Sequence, residues 1–272
     1  MPDYHAGVNS TWTGDARTTG VRVARSDVLR SLRTLGVAAI AGVGTGVVVA
    51  GLGGRLVMKL IALAAGPSAI GRVTANGNIV GELTFPGTLS IIIFSGILFG
   101  IIGGLLYAAV RPWLSGLGRW RGVVFGVIVL ALMGHLVFEA SNFDFRVFGV
   151  TGLNVGLFAG LFVLYGLVIA PVFDAIEAAA ARYRPVSLIV WLAVLPAAGL
   201  IVLAVASSVA GALGQIPDFR ATLGLLVLGS LLAGAVGRMI GVGRPVSLAV
   251  VAVPVLLGGF VTANELAHIL FG

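Results

Sequence analysis

Hydrophobic side chains make up 58% of the 272 residues and charged ones only 10%, with a mean hydropathy of +1.11. A soluble domain carries about a quarter charged residues, so the composition excludes a water-soluble globule and specifies an integral membrane protein. The net charge of +7 lies in short segments between apolar runs, as the positive-inside rule expects, which argues against nucleic acid as a partner; the absence of cysteine excludes disulfides, iron–sulfur clusters and thiol catalysis.

The chain opens on a polar segment, residues 1–34, too long and too charged to be a cleaved signal peptide. Ser26 to Leu35 repeats leucine at 29, 32 and 35, the pattern of a short interfacial helix, although a solvated cytoplasmic tail is the simpler reading. From residue 35 to 272 the apolar runs take over. A crossing needs about 20 apolar residues. Seven runs qualify: Gly36–Gly54, Thr88–Val110, Gly122–Ala140, Val150–Ala170, Val186–Ala210, Thr222–Gly237 and Val246–Leu270. The sixth is short. The fourth could continue past Pro171 through Asp174 and Glu177 to Arg182, as a cytoplasmic extension.

The expected fold is therefore all-α: a seven-transmembrane-helix bundle built from one leading helix and three helical hairpins. Its orientation follows from the cations. An internal N-terminus puts twelve of them inside: five arginines of the tail, with Arg111, Arg119, Arg121, Arg182, Arg184, Arg238 and Arg244. Five fall outside: Arg55, Lys59, Arg72, Arg146 and Arg220. The expectation is a cell (inner) membrane protein with a cytoplasmic N-terminus and an extracytoplasmic C-terminus. Arg184-Pro-Val-Ser-Leu recurs as Arg244-Pro-Val-Ser-Leu, each time opening an outward-running span, which suggests a duplication.

Gly42 and Gly46 lie four apart in the first span, and Gly96, Gly100 and Gly104 repeat the interval in the second. In lipid the attraction between helices is packing, which such spacing permits at close range, so these two spans are expected to pack together. Residues 66–87 between them form an extracytoplasmic loop. There Asn76-Gly77, the pair preferred for a type I′ turn, sits between Arg72-Val-Thr and Asn78-Ile-Val and predicts a small β-hairpin. Four features together resemble a family of uncharacterised multi-pass membrane proteins of actinobacterial type: the run Gly54-Arg-Leu-Val-Met-Lys-Leu, the loop carrying Gly71-Arg-Val-Thr and Gly81-Glu-Leu-Thr, Arg111-Pro-Trp, and Asn142-Phe-Asp-Phe-Arg. The resemblance covers about the first two thirds of the chain. It implies a bacterial inner membrane, and no activity or site comes with it.

Ionisable residues inside spans are functional candidates, and none falls near the centre of a predicted span. The outer third holds two pairs, His135 with Glu139 and Glu265 with His268, each spaced to share a helix face. Two imidazoles and two carboxylates suit zinc or iron; the plain alternative is four interfacial residues that are hydrogen-bonded or wet. Arg55 and Lys59 could contact an anion or lipid headgroup, or pair with Glu82, Glu139, Asp144 or Glu265, or simply snorkel. Pro196 and Pro254 lie near mid-membrane in the fifth and seventh spans, where hinges of transporters occur. The leading expectation is a non-enzymatic structural or interaction component that needs no cofactor and whose partners are the lipid bilayer and a membrane protein or second copy. The alternatives are a transporter or channel for a small neutral or anionic solute, and a metal-dependent membrane enzyme at the four His/Glu residues.

Overall fold

The computed structural model describes residues 25–74, 79, 80, 82, 84–140, 142, 144–212 and 244–272. Helix α1 (Arg25–Gly46) passes through a π-helical segment (Val47–Gly53) into α2 (Gly54–Ala65) without interruption. The first predicted span is thus the middle of a longer helix. Residues 25–34 are its opening turns, and Arg55 and Lys59 ride on its far end. It stops where the sequence first allows, at Gly66 (φ 79°) followed by Pro67.

Helix α3 (Phe85–Ile91) begins at Thr84, whose hydroxyl accepts from the Gly87 N–H at 3.3 Å, with Pro86 in the first turn. Both are start signals, since a side-chain oxygen satisfies a free N–H and proline lacks one. A second π-helical segment (Ile92–Leu98) leads into α4 (Phe99–Leu114). The 3-10 turn Ser115–Trp120 breaks at Gly118 (φ 51°, ψ −122°), and α5 (Arg121–Met133) follows. After a further 3-10 turn (Gly134–Leu136) come α6 (Asp144–Val147), α7 (Thr151–Arg182), α8 (Arg184–Ala212) and α9 (Arg244–Phe271). The extension past Pro171 is realised, and α7 runs unbroken to Arg182.

Helix α1 is the hub, packed by α4, α8 and α7. Its glycines meet those of the second apolar run. A Cβ on Gly100 would lie 2.5 Å from the Gly42 carbonyl oxygen, and one on Gly46 would lie 2.6 Å from the Gly100 Cα. The two π-helical segments also face each other. A second close crossing joins α5 to α7, where a Cβ on Gly122 would lie 2.8 Å from the Gly166 carbonyl oxygen. Tyr107 of α4, fully buried, sets its ring edge-on to Phe125 (5.0 Å) and Phe173 (5.4 Å), tying α4, α5 and α7 together.

Four helical stretches among the described residues are long and apolar enough to cross a membrane: Val28–Ala65, Phe85–Leu136, Thr151–Arg182 and Ala252–Phe271. This falls short of the expected seven. The second and third expected spans sit in the single stretch Phe85–Leu136; the fifth contributes the shorter Arg184–Gly199; the sixth, Thr222–Gly237, lies outside the described residues. The expected β-hairpin is also not formed as such. An isolated antiparallel bridge joins Val73 to Ile79, and Val80 N–H donates to the Arg72 carbonyl at 2.8 Å. No strand occurs among the described residues, and Asn76-Gly77 lies outside them.

Candidate functional site

The densest chemistry lies where α4 ends and α5 begins. Arg111, in the last turn of α4, donates to Asp174 Oδ1 at 3.0 Å and to Glu177 Oε2 at 2.8 Å. Arg121, the first residue of α5, donates to the other Asp174 oxygen, Oδ2. Arg33 of α1 donates to the Glu177 backbone carbonyl at 3.3 Å. Four helices are therefore joined at one end by a network centred on two carboxylates of α7. Asp174 and Glu177 are three apart, so both face the same side of the helix. Phe173 supports the network from below, with the Arg111 guanidinium 4.8 Å over its ring. The ion-paired side chains are each about a third exposed (31–34%), apart from Glu177 at 43%. Solvent screening thus limits each bond to about 1 kcal/mol or less, and a shared network is what makes them count.

Beside this network opens a groove of about 440 Å³. Ser115, Arg119 and Arg121 form its polar rim, while Gly122, Leu167 and Pro171 form an apolar floor. Arg119 lies 5.6 Å over the Trp120 ring, and Trp120 and Leu117 are exposed. Four guanidinium groups (Arg33, Arg111, Arg119, Arg121) against two carboxylates (Asp174, Glu177) leave this corner net positive. The Ser115 hydroxyl donates to the Pro112 carbonyl at 3.0 Å, which leaves its oxygen as an acceptor. The sequence reading used Arg111, Arg119 and Arg121 only as markers of sidedness and did not pair them with Asp174 and Glu177. The available signal was the spacing of those two carboxylates on a helix extended beyond the apolar run.

The predicted His/Glu residues lie at the other end. His135 is buried, in the 3-10 turn Gly134–Leu136, and its backbone N–H donates to Thr262 Oγ1 of α9 at 3.0 Å. The shared helix face expected for His135 and Glu139 does not form, because α5 ends at Met133 and Glu139 lies beyond the helical turns. Phe138 N–H is drawn back to the Gly134 carbonyl at 2.7 Å, and Ala140 N–H donates to Glu265 Oε2 at 2.7 Å. A side-chain acceptor from α9 thus takes a donor that a continuing helix would have used. Glu265 is buried and His268 is exposed; the His268 carbonyl accepts from Arg146 at 2.5 Å. Among the described residues no group of three or more His, Asp or Glu side chains is arranged to hold a metal ion.

Arg55 is half-buried with its guanidinium against Gly87, where an added Cβ would lie 2.6 Å from Nη2; Lys59 is exposed. Arg72 stacks 5.7 Å over Phe148, fastening the loop after α2 to the segment after α6. Asn154, fully buried in α7, donates to the carbonyls of Phe148 (2.5 Å) and Phe145 (3.4 Å). Pro196 is exposed on α8, whereas Pro254 is buried in α9. Thr262 and Asn154 belong to no motif that would have marked them in the sequence. Comparison with protein-family models, curated proteins and solved structures yields no match, so the resemblance drawn from the Gly54 run brings no family assignment.

Proposed function

We propose that this chain is a seven-pass protein of the cell membrane with a cytoplasmic N-terminus, acting as a non-enzymatic structural or interaction component. Four helices long and apolar enough to cross a membrane support membrane character; the higher count rests on further argument. The stretch Phe85–Leu136 has 52 residues, about 78 Å of helix at 1.5 Å per residue, far more than the roughly 30 Å apolar layer. The break at Gly118 supports reading it as two passes, since Arg111 and Arg121 on either side both reach Asp174. Helix α8 and the apolar run Thr222–Gly237 supply the remaining two.

The observation that carries the structural role is the network on Asp174 and Glu177. Its carboxylates hold arginines from other helices, and with Arg33 the network joins four helices, as in a clamp. The chain lacks native cysteine, so sidedness is directly testable by single introduced cysteines in intact cells. Gly116→Cys should resist an impermeant maleimide, while Lys59→Cys and Gly272→Cys should react. The reverse pattern overturns the orientation. Cross-linking in the membrane should capture a second copy or a membrane protein; accumulation of neutral or anionic solutes by proteoliposomes carrying the purified chain would overturn the non-transport reading.

A further inference from the structure

The groove beside the charged network has a chemistry that the clamp does not explain. We propose that it binds the phosphodiester headgroup of an acidic glycerophospholipid, an inference that rests on the membrane-protein reading above. A cleft of about 440 Å³ is within the range of small-ligand sites, and its two surfaces differ in a way a lipid would use. The rim presents Arg119 and Arg121. Arg121 is held in place by Asp174, whereas Arg119 is exposed and makes its recorded contact with the Trp120 ring. Carboxylates in this corner do not cancel the arginines, so the site keeps a net positive charge suited to one phosphate.

The rest of the lining is apolar. Leu167 and Pro171 are both exposed on α7, offering a surface to the glycerol and the first methylenes of an acyl chain. Pro171 has no N–H to donate to the carbonyl four residues earlier, which is that of Leu167 itself. That carbonyl and the Ser115 oxygen are acceptors placed for a hydroxyl-bearing headgroup such as phosphatidylglycerol. Depth agrees with this assignment: Trp120 (57% exposed) and Leu117 (42%) flank the groove, and exposed tryptophan marks the membrane interface. Basic pockets between helices at that level are suited to anionic headgroups. Inorganic phosphate shares the anion chemistry but has no use for the floor.

Native mass spectrometry of the full-length chain, delipidated in detergent, separates these sources. Titration with phosphatidylglycerol should give one retained lipid at concentrations where phosphatidylcholine is lost. Arg119→Gln should weaken that binding about five-fold, the worth of one cation near an anionic surface, and Lys59→Gln should leave it unchanged. Arg119 is exposed and outside the clamp, so this variant should elute and melt as the wild type does. Equal retention of both lipids, or an Arg119→Gln titration matching wild type, overturns the proposal. Inorganic phosphate displacing the lipid at equal concentration overturns the headgroup assignment. Failure of the membrane reading is seen separately, as release of the chain from membranes by alkaline carbonate.

Discussion

Replacing Gly100 by alanine adds one methyl group to the tightest seam in the bundle. The new Cβ would stand 2.5 Å from the Gly42 carbonyl oxygen, 3.1 Å from the carbonyl carbon and 3.2 Å from the Gly46 Cα. A carbon–oxygen contact is comfortable near 3.3 Å, so the helices must part locally by about 0.8 Å. All three neighbours are backbone atoms, which rotamer changes cannot relieve. A gap of that size forfeits about a quarter to a half of the dispersion attraction of the atoms that lose contact, and overpacking of this kind costs about 1–3 kcal/mol. Alanine recovers up to about 1 kcal/mol of helix propensity, so a net loss of about 1–2 kcal/mol is expected. Gly44, on the same helix but with nothing within 4 Å of its Cβ position, isolates the propensity effect: Gly44→Ala should be neutral or stabilising. Thermal unfolding of both variants in one detergent, read by circular dichroism, gives the comparison. If Gly100→Ala melts at or above the Gly44→Ala temperature, the seam does not have the closeness described.

Asp174→Asn removes the charge shared by Arg111 and Arg121 and should destabilise by about 1–2 kcal/mol, two partly exposed pairs at up to about 1 kcal/mol each; Glu177→Gln should cost less, and melting temperatures decide the order. Glu265→Ala should cost about 1–3 kcal/mol because it strands the Ala140 N–H, while Glu265→Gln retains an acceptor oxygen and should recover most of the loss; equal melting of the two variants would count against the contact. Tyr165→Phe deletes the hydroxyl that donates to the Gly100 carbonyl at 3.0 Å and should cost about 1 kcal/mol, measurable in the same melts. Elemental analysis of the purified chain should find no stoichiometric zinc or iron; one equivalent that disappears in His135→Ala would restore the His/Glu metal site.

The two ends of the molecule differ in how far the sequence revealed them. At the His135 end, helical spacing suggested a paired His135–Glu139 face. That inference assumed the helix continued, whereas α5 ends at Met133 and, further on, Glu265, 125 residues away, takes the Ala140 N–H. No local pattern encodes such a competitor. At the charged end every participant was visible, but as scattered arginines and a helix extension; what joined them was the arrival of α1, α4, α5 and α7 at one place.

The sequence by itself marked the chain as a membrane protein by its apolar runs, though not how they divide into helices, and showed that glycines at four-residue intervals leave room for close packing. Those properties depend on composition and short-range periodicity. Only the tertiary structure decided that Gly42 and Gly46 meet Gly96 and Gly100, that Asp174 links Arg111 to Arg121, and that a basic groove opens beside them. Each depends on which helices become neighbours, a choice made by shape and charge across the whole bundle. The loop around Asn76-Gly77 shows the same division: turn chemistry marked the place, while the described residues beside it pair through an isolated bridge from Val73 to Ile79.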